Sequence, residues 1–162
     1  MHREERRVRT DGDRVDRAER VVAAGPGAVY AALLDPVALE SWLPPAGATG
    51  RVTGLDARPG GGFRMELRFA DPVDPKTTAD SDVTVVHLVA LRPDRLVEQA
   101  VTFESSDARF GGTMRMTWQL QPEVGGTRVT VTARDVPAGI GHEEHEAGLA
   151  SSLANLAAYL AS

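Results

Sequence analysis

No cysteine occurs among the 162 residues of this chain. That removes disulfide frameworks, thiolate nucleophiles and cysteine-held metals together. Lysine is nearly absent too: one Lys stands against 17 Arg, which we read as the composition of the source genome. No apolar run approaches the ~18 residues of a membrane span, and no apolar signal region follows the Arg-rich start. A cytoplasmic protein without a membrane partner is therefore expected. Nor is there a basic excess. The net charge of -5 argues against a nucleic-acid partner, because phosphate binding needs a positive surface. A Gly-x-Ser-x-Gly elbow is missing, which leaves serine-nucleophile chemistry without support. What remains is ordinary for a globular domain: 42% hydrophobic residues, 25% charged, and enough length for one real core.

The chain opens with residues 1–13, mixed in charge and almost without apolar side chains, which predicts a flexible or extended lead. Residues 14–162 read as a single domain. Arg14 to Ala24 turns apolar at Val21-Val22-Ala23-Ala24 and predicts a strand. Gly25-Pro26 then starts a short helix, and Asp35-Pro36 starts another, with Asp as N-cap and Pro at the first helical position. Pro44-Pro45 ends the second. A series of strands follows: Thr49 to Ala57, Phe63 to Phe69, Asp82 to Leu91, Leu96 to Glu104, Gly112 to Gln121 and Thr127 to Arg134. Asp71 to Ser81, carrying Pro72 and Pro75, reads as a loop, as does Ser105 to Gly111. In the second of these strands Phe63, Met65, Leu67 and Phe69 alternate with charged residues; in the fifth, Met114, Met116, Trp118 and Leu120 share a face. Short turns between strands make the meander antiparallel, so the fold class is α+β with helices on one face.

The final stretch, His142 to Ser162, is one long helix. Leu149, Leu153, Leu156 and Leu160 recur at i, i+4, i+7 and i+11 and form one apolar stripe. Ser151, Ser152, Asn155 and Ala158 are expected on the other face. His142 and His145 lie seven and four residues before Leu149, on the stripe's side. Gly148 interrupts the stripe, an interior helix Gly costing about 1 kcal/mol against Ala, and a bare backbone there lets a strand or a ligand come close. The expected architecture is a curved sheet closed by this helix over a cavity.

Five short motifs, in order, carry a resemblance. They are Leu34-Asp-Pro-x-x-Leu-x-x-Trp42, Arg58-Pro-Gly-Gly61, Pro93-x-Arg95-Leu96, Gly125-Gly-Thr127 and His145-Glu-x-Gly148. Together they resemble the START-like (SRPBCC) superfamily, in the branch that shares its fold with the C-terminal domain of the Hsp90 ATPase activator. The resemblance covers about residues 14 to 161. It implies a helix-grip fold: an antiparallel sheet of about six or seven strands curved around a long C-terminal helix, with two short helices after the first strand. It also implies a cavity for an apolar molecule. The branch often has Trp after the helix glycine; this chain has Leu149, which enlarges the pocket or changes its packing.

The pocket expected from this fold would be lined by Trp42, Phe63, Met65, Phe103, Met114, Met116, Trp118, His145 and Leu149. Two Met and a Trp on one strand face make an adaptable wall, although the same spacing also describes plain core. His142 and His145 are spaced i, i+3, one residue short of the zinc-protease pattern and with no evident third ligand, so no metal is expected, nor any other cofactor. Three residues are candidates for acid–base work: His145 at the pocket mouth, His87 if its face of the strand points inward, and Glu98, which competes with Gln99 for the inward position. Three functions follow. The first is binding of a small hydrophobic or aromatic molecule. The second is a cyclase- or hydratase-like enzyme in the same pocket. The third is a chaperone-interaction role, less expected because the chain lacks the activator's extra N-terminal domain. A homodimer through an exposed strand edge is compatible with the pattern, but nothing specific calls for it.

Overall fold

The computed structural model describes residues 14–70 and 81–162. The expected N-terminal lead and nearly all of the loop expected from Asp71 to Ser81 lie outside the described residues. Seven strands form one antiparallel sheet: β1 (Val15–Val22), β2 (Ala48–Asp56), β3 (Gly62–Phe69), β4 (Ser81–Arg92), β5 (Leu96–Phe103), β6 (Met114–Glu123) and β7 (Gly126–Arg134). Their order is β1-β7-β6-β5-β4-β3-β2, a meander whose last strand returns to pair with the first. Helices α1 (Pro26–Leu34) and α2 (Pro36–Trp42) follow β1, and α3 (His142–Ala161) ends the chain. A 3-10 turn, Ala108–Phe110, lies in the segment expected to be wholly loop; Asp107 caps it by accepting from the Arg109 N–H.

Local chemistry accounts for the two short helices. Each begins with Pro at its first turn, where the missing N–H costs nothing. The Asp35 carboxylate also accepts the Ala38 N–H at 2.9 Å, the expected N-cap. Trp42 closes the pair: its indole N–H donates to the Ala32 carbonyl of α1, and its ring is 1% exposed.

Alternation decides the inner face of the sheet. Val97, Gln99 and Val101 of β5 lie opposite Trp118, Met116 and Met114 of β6, all on that face. Val129, Val131 and Ala133 of β7 are fully buried. Along β4 the inward set is Asp82, Thr84, Val86 and Leu88, so the odd-numbered His87 is on the outer face and exposed. A bulge between Leu88 and Ala90 shifts the register toward the end of that strand.

Both outer strands are guarded. The Arg17 N–H at the β1 edge donates to Glu146 of α3, and the Val52 N–H at the β2 edge donates to Glu40 of α2, at 2.9 and 2.7 Å. Unpaired edge N–H groups are templates for strand addition, and each of these has a helix carboxylate as its partner.

Two glycines start strands under tight quarters. A Cβ on Gly62 would overlap the Val86 carbonyl, and one on Gly126 would overlap the Val22 carbonyl. Backbone on both sides leaves no side-chain rotation to relieve the overlap. Gly126→Ala is expected to lower stability by about 2–3 kcal/mol, at the upper end of overpacking effects. Urea denaturation checks this; an unchanged midpoint would mean that the β1–β7 junction yields.

Candidate ligand cavity

Helix α3 lies across the inner face of the sheet, with Leu149, Leu153 and Leu156 buried against it. It packs mainly against β1 and α2, and Asn155 donates to the Pro44 carbonyl at 3.3 Å. Between helix and sheet remains a cavity of about 400 Å³, within the range of small-molecule sites, roughly 300–1,000 Å³.

All nine side chains expected at the pocket line this space. Trp42 enters from α2, and Phe63 and Met65 from β3. Phe103 comes from β5, while Met114, Met116 and Trp118 come from β6. His145 and Leu149 form part of the helix wall. The two indole rings meet edge to face, centroids 5.6 Å apart. Gly148 also lines the cavity, and a Cβ built on it would meet nothing within 4 Å. No described strand uses the bare backbone; among the described residues the glycine leaves open space. Ser152, expected on the far side of the helix, lines the cavity as well, because its half-buried position lies beside Leu149 and Leu153.

Two of the three acid–base candidates lie elsewhere. His87 is exposed on the outer face. Glu98 also points outward and is ion-paired with Arg115. Its neighbour Gln99 takes the inward position, 6% exposed, and its side-chain oxygen accepts the Trp118 indole N–H at 3.1 Å. Strand parity separates them: with Val97 and Val101 inward, only Gln99 can follow.

His145 belongs to a larger cluster that sequence reasoning missed. At its centre is Asp16, fully buried in β1. One carboxylate oxygen meets Nδ1 of His142 at 2.6 Å and the other meets Nδ1 of His145 at 2.7 Å. Arg14 donates to both oxygens, at 2.9 and 2.8 Å, and to the Ile140 carbonyl. Burial pushes the Asp16 carboxyl up, but the hydrogen bonds from Arg14, His142 and His145 outweigh it and hold the group well below the usual carboxylate range. The hydrogen bond to Asp16 raises His142 above its ordinary value; partial burial opposes this, and the charge of Glu146, 3.4 Å from the second ring nitrogen, adds to it. One signal for Asp16 was present: it shares parity with Ala18 and Val22, the inward residues of β1. Among the described residues, no group of three or more His, Asp or Glu side chains is arranged to hold a metal ion. Asp16 sits between the two rings as a hydrogen-bond acceptor, not beside them as a co-ligand.

Comparison with protein families matches residues 23–161 to the family described as Activator of Hsp90 ATPase homolog 1-like protein. The chain belongs to that family. Among solved structures, a Chromobacterium violaceum protein is 31% identical, with 91% of this chain and 97% of that one aligned at a TM-score of 0.81. The AHSA1-like protein from Aeromonas hydrophila is similar at 17% identity, covering 91% and 92% with a TM-score of 0.71. An Arthrobacter aurescens protein, also 17% identical, covers 91% and 86% at 0.76. Comparison with curated proteins found no match. The AHSA1-like fold is therefore the α+β helix grip expected from the motifs, built here with seven strands. No helix among the described residues is long and apolar enough to cross a membrane.

Proposed function

We propose that this AHSA1-like chain binds a small, largely apolar molecule between α3 and the sheet. The observation that carries this reading is the cavity itself: about 400 Å³ of space walled by two Trp, three Met and several Phe and Leu side chains. Burial of apolar ligand surface there supplies the affinity, at ~25 cal/mol per Å², and the few polar groups orient the occupant. Leu149, where a Trp is common in the branch, keeps part of that space open.

Equilibrium dialysis with naphthalene tests the reading. The wild-type protein is expected to take up one equivalent saturably. Leu149→Trp fills the space from the helix side and is expected to weaken uptake at least tenfold while leaving the urea midpoint near the wild-type value. Equal uptake by both proteins would place Leu149 outside the binding volume. No uptake by either, of naphthalene or of its oxygenated analogues, would remove this reading. Native mass spectrometry of gently purified protein complements this, since a defined added mass would identify the natural occupant's size.

The family's name favours a second reading, contact with an Hsp90-type chaperone. The sheet's outer face would serve it, and that face carries ion pairs such as Glu98–Arg115 and Glu19–Arg128. Capture of an Hsp90-type chaperone at micromolar protein concentration would support this role, and failure to recover one would remove it.

A further inference from the structure

Two of the polar side chains that line the cavity, one on the sheet and one on α3, have their hydrogen-bond polarity set by partners behind them. Gln99 is the first. An indole N–H is a donor only, so the amide end that meets Trp118 must be the oxygen. The NH2 end is left for the cavity, and no described group accepts from it. His145 is the second. The Asp16 carboxylate, held ionised by Arg14 and two imidazoles, only accepts. Nδ1 of His145 therefore carries its proton toward Asp16, and in the neutral ring Nε2 is left as a bare lone pair. No described group donates to Nε2, and the ring lines the cavity. Gln99 thus presents a donor from the sheet wall and His145 an acceptor from the helix wall, whereas the lining hydroxyls of Thr84 and Ser152 can do either.

The remaining lining sharpens the choice. No Lys or Arg is among the described lining residues. A ligand anion entering this space would lose its hydration without meeting a lysine or arginine among them.

Resting on the binding role proposed above, the geometry points to a neutral hydroxylated aromatic or alicyclic ligand, its hydroxyl donating to Nε2 of His145 and an oxygen accepting from Gln99. Carboxylic acids of the same shape are rejected. Asp16 is a positioning residue in this scheme: it never touches the ligand, but it decides which nitrogen of His145 carries the proton.

Four probes of similar shape separate the possibilities by equilibrium dialysis at pH 8. They are naphthalene, 1-methoxynaphthalene, 1-naphthol and 1-naphthoate. The methoxy compound offers an oxygen acceptor without a donor, and naphthol offers both. Naphthol is expected to bind at least fivefold more tightly than the methoxy compound, the scale of one hydrogen bond, and naphthoate at least tenfold more weakly than naphthol. In His145→Leu, naphthol and methoxynaphthalene should bind alike. Equal binding of these two by the wild type overturns the proposal while leaving the cavity reading intact, as does a naphthol preference that survives in His145→Leu. Tightest binding of naphthoate overturns it as well. If none of the four binds, the cavity reading falls and this inference falls with it. The wild-type series decides the matter even if the variant does not fold.

Discussion

Asp16→Ala is expected to lower the stability of the protein by about 3 kcal/mol, the lower end of the cost of breaking a buried ion pair. The estimate sits low for a structural reason. Asp16 itself is fully buried, but Arg14 and His142 are 25% and 48% exposed and can recover water when their partner is lost. His145, 15% exposed, recovers less. The same substitution is expected to flatten the dependence of stability on pH. Asp16 has a folded-state pKa below its unfolded value, so its contribution is complete above about 3.9 and is lost as pH falls toward the lower folded value. His142 has a folded-state pKa above its unfolded value, so its contribution is complete below about 6.5 and is lost as pH rises through the folded value. Wild-type stability should therefore be greatest between these limits, with Asp16→Ala losing most within that window. Urea denaturation from pH 3 to pH 9 measures both effects. A variant that keeps the wild-type profile would show that the cluster contributes nothing to folding.

Trp42→Ala should cost more still, about 4 kcal/mol, within the range for removing a buried aromatic side chain. Three contributions are lost together. The ring is 1% exposed, it stacks edge to face on Trp118, and its N–H satisfies the Ala32 carbonyl. Because Trp42 also walls the cavity, the truncation enlarges it on the α2 side. Naphthalene uptake should survive in whatever fraction remains folded, whereas Leu149→Trp should weaken uptake at least tenfold in a folded protein. Denaturation and dialysis on the two variants separate support of the fold from shaping of the cavity. A Trp42→Ala protein as stable as wild type would mean that α2 repacks over the gap.

These outcomes depend on two kinds of information. Alternation in β3 and β6, the Asp-Pro and Gly-Pro helix starts, and the leucine stripe of α3 are local patterns. Each is set by the geometry of a strand or helix and by the capping chemistry of its first residue. They were sufficient, with the ordered motifs, to specify a sheet gripped by a terminal helix and to nominate the nine side chains that line the space between them. Strand parity was less legible where both faces carried plausible residues. Val83, Val85 and Val89 share the His87 face and leave the inward side of the strand open, yet β4 presents Thr84, Val86 and Leu88 to the core. Parity likewise turned Gln99 inward in place of Glu98. Nothing in the local sequence decides such a case, because the choice is made by which neighbour the strand pairs with and at what register.

The Asp16 cluster lay further out of reach. Asp16 and His145 are 129 residues apart, and they meet because β1 joins the sheet beside β7, with α3 packed against β1. A carboxylate near the start of a strand reads as a surface residue until that closure buries it. Residue by residue, then, the sequence determined the elements, the helix-grip plan and the apolar character of the cavity wall. Only the tertiary structure decided which polar groups face the cavity and which end of each does so. Hydrogen-bond polarity is a property of partners, and these partners are brought together by long-range strand pairing rather than by anything adjacent in the chain.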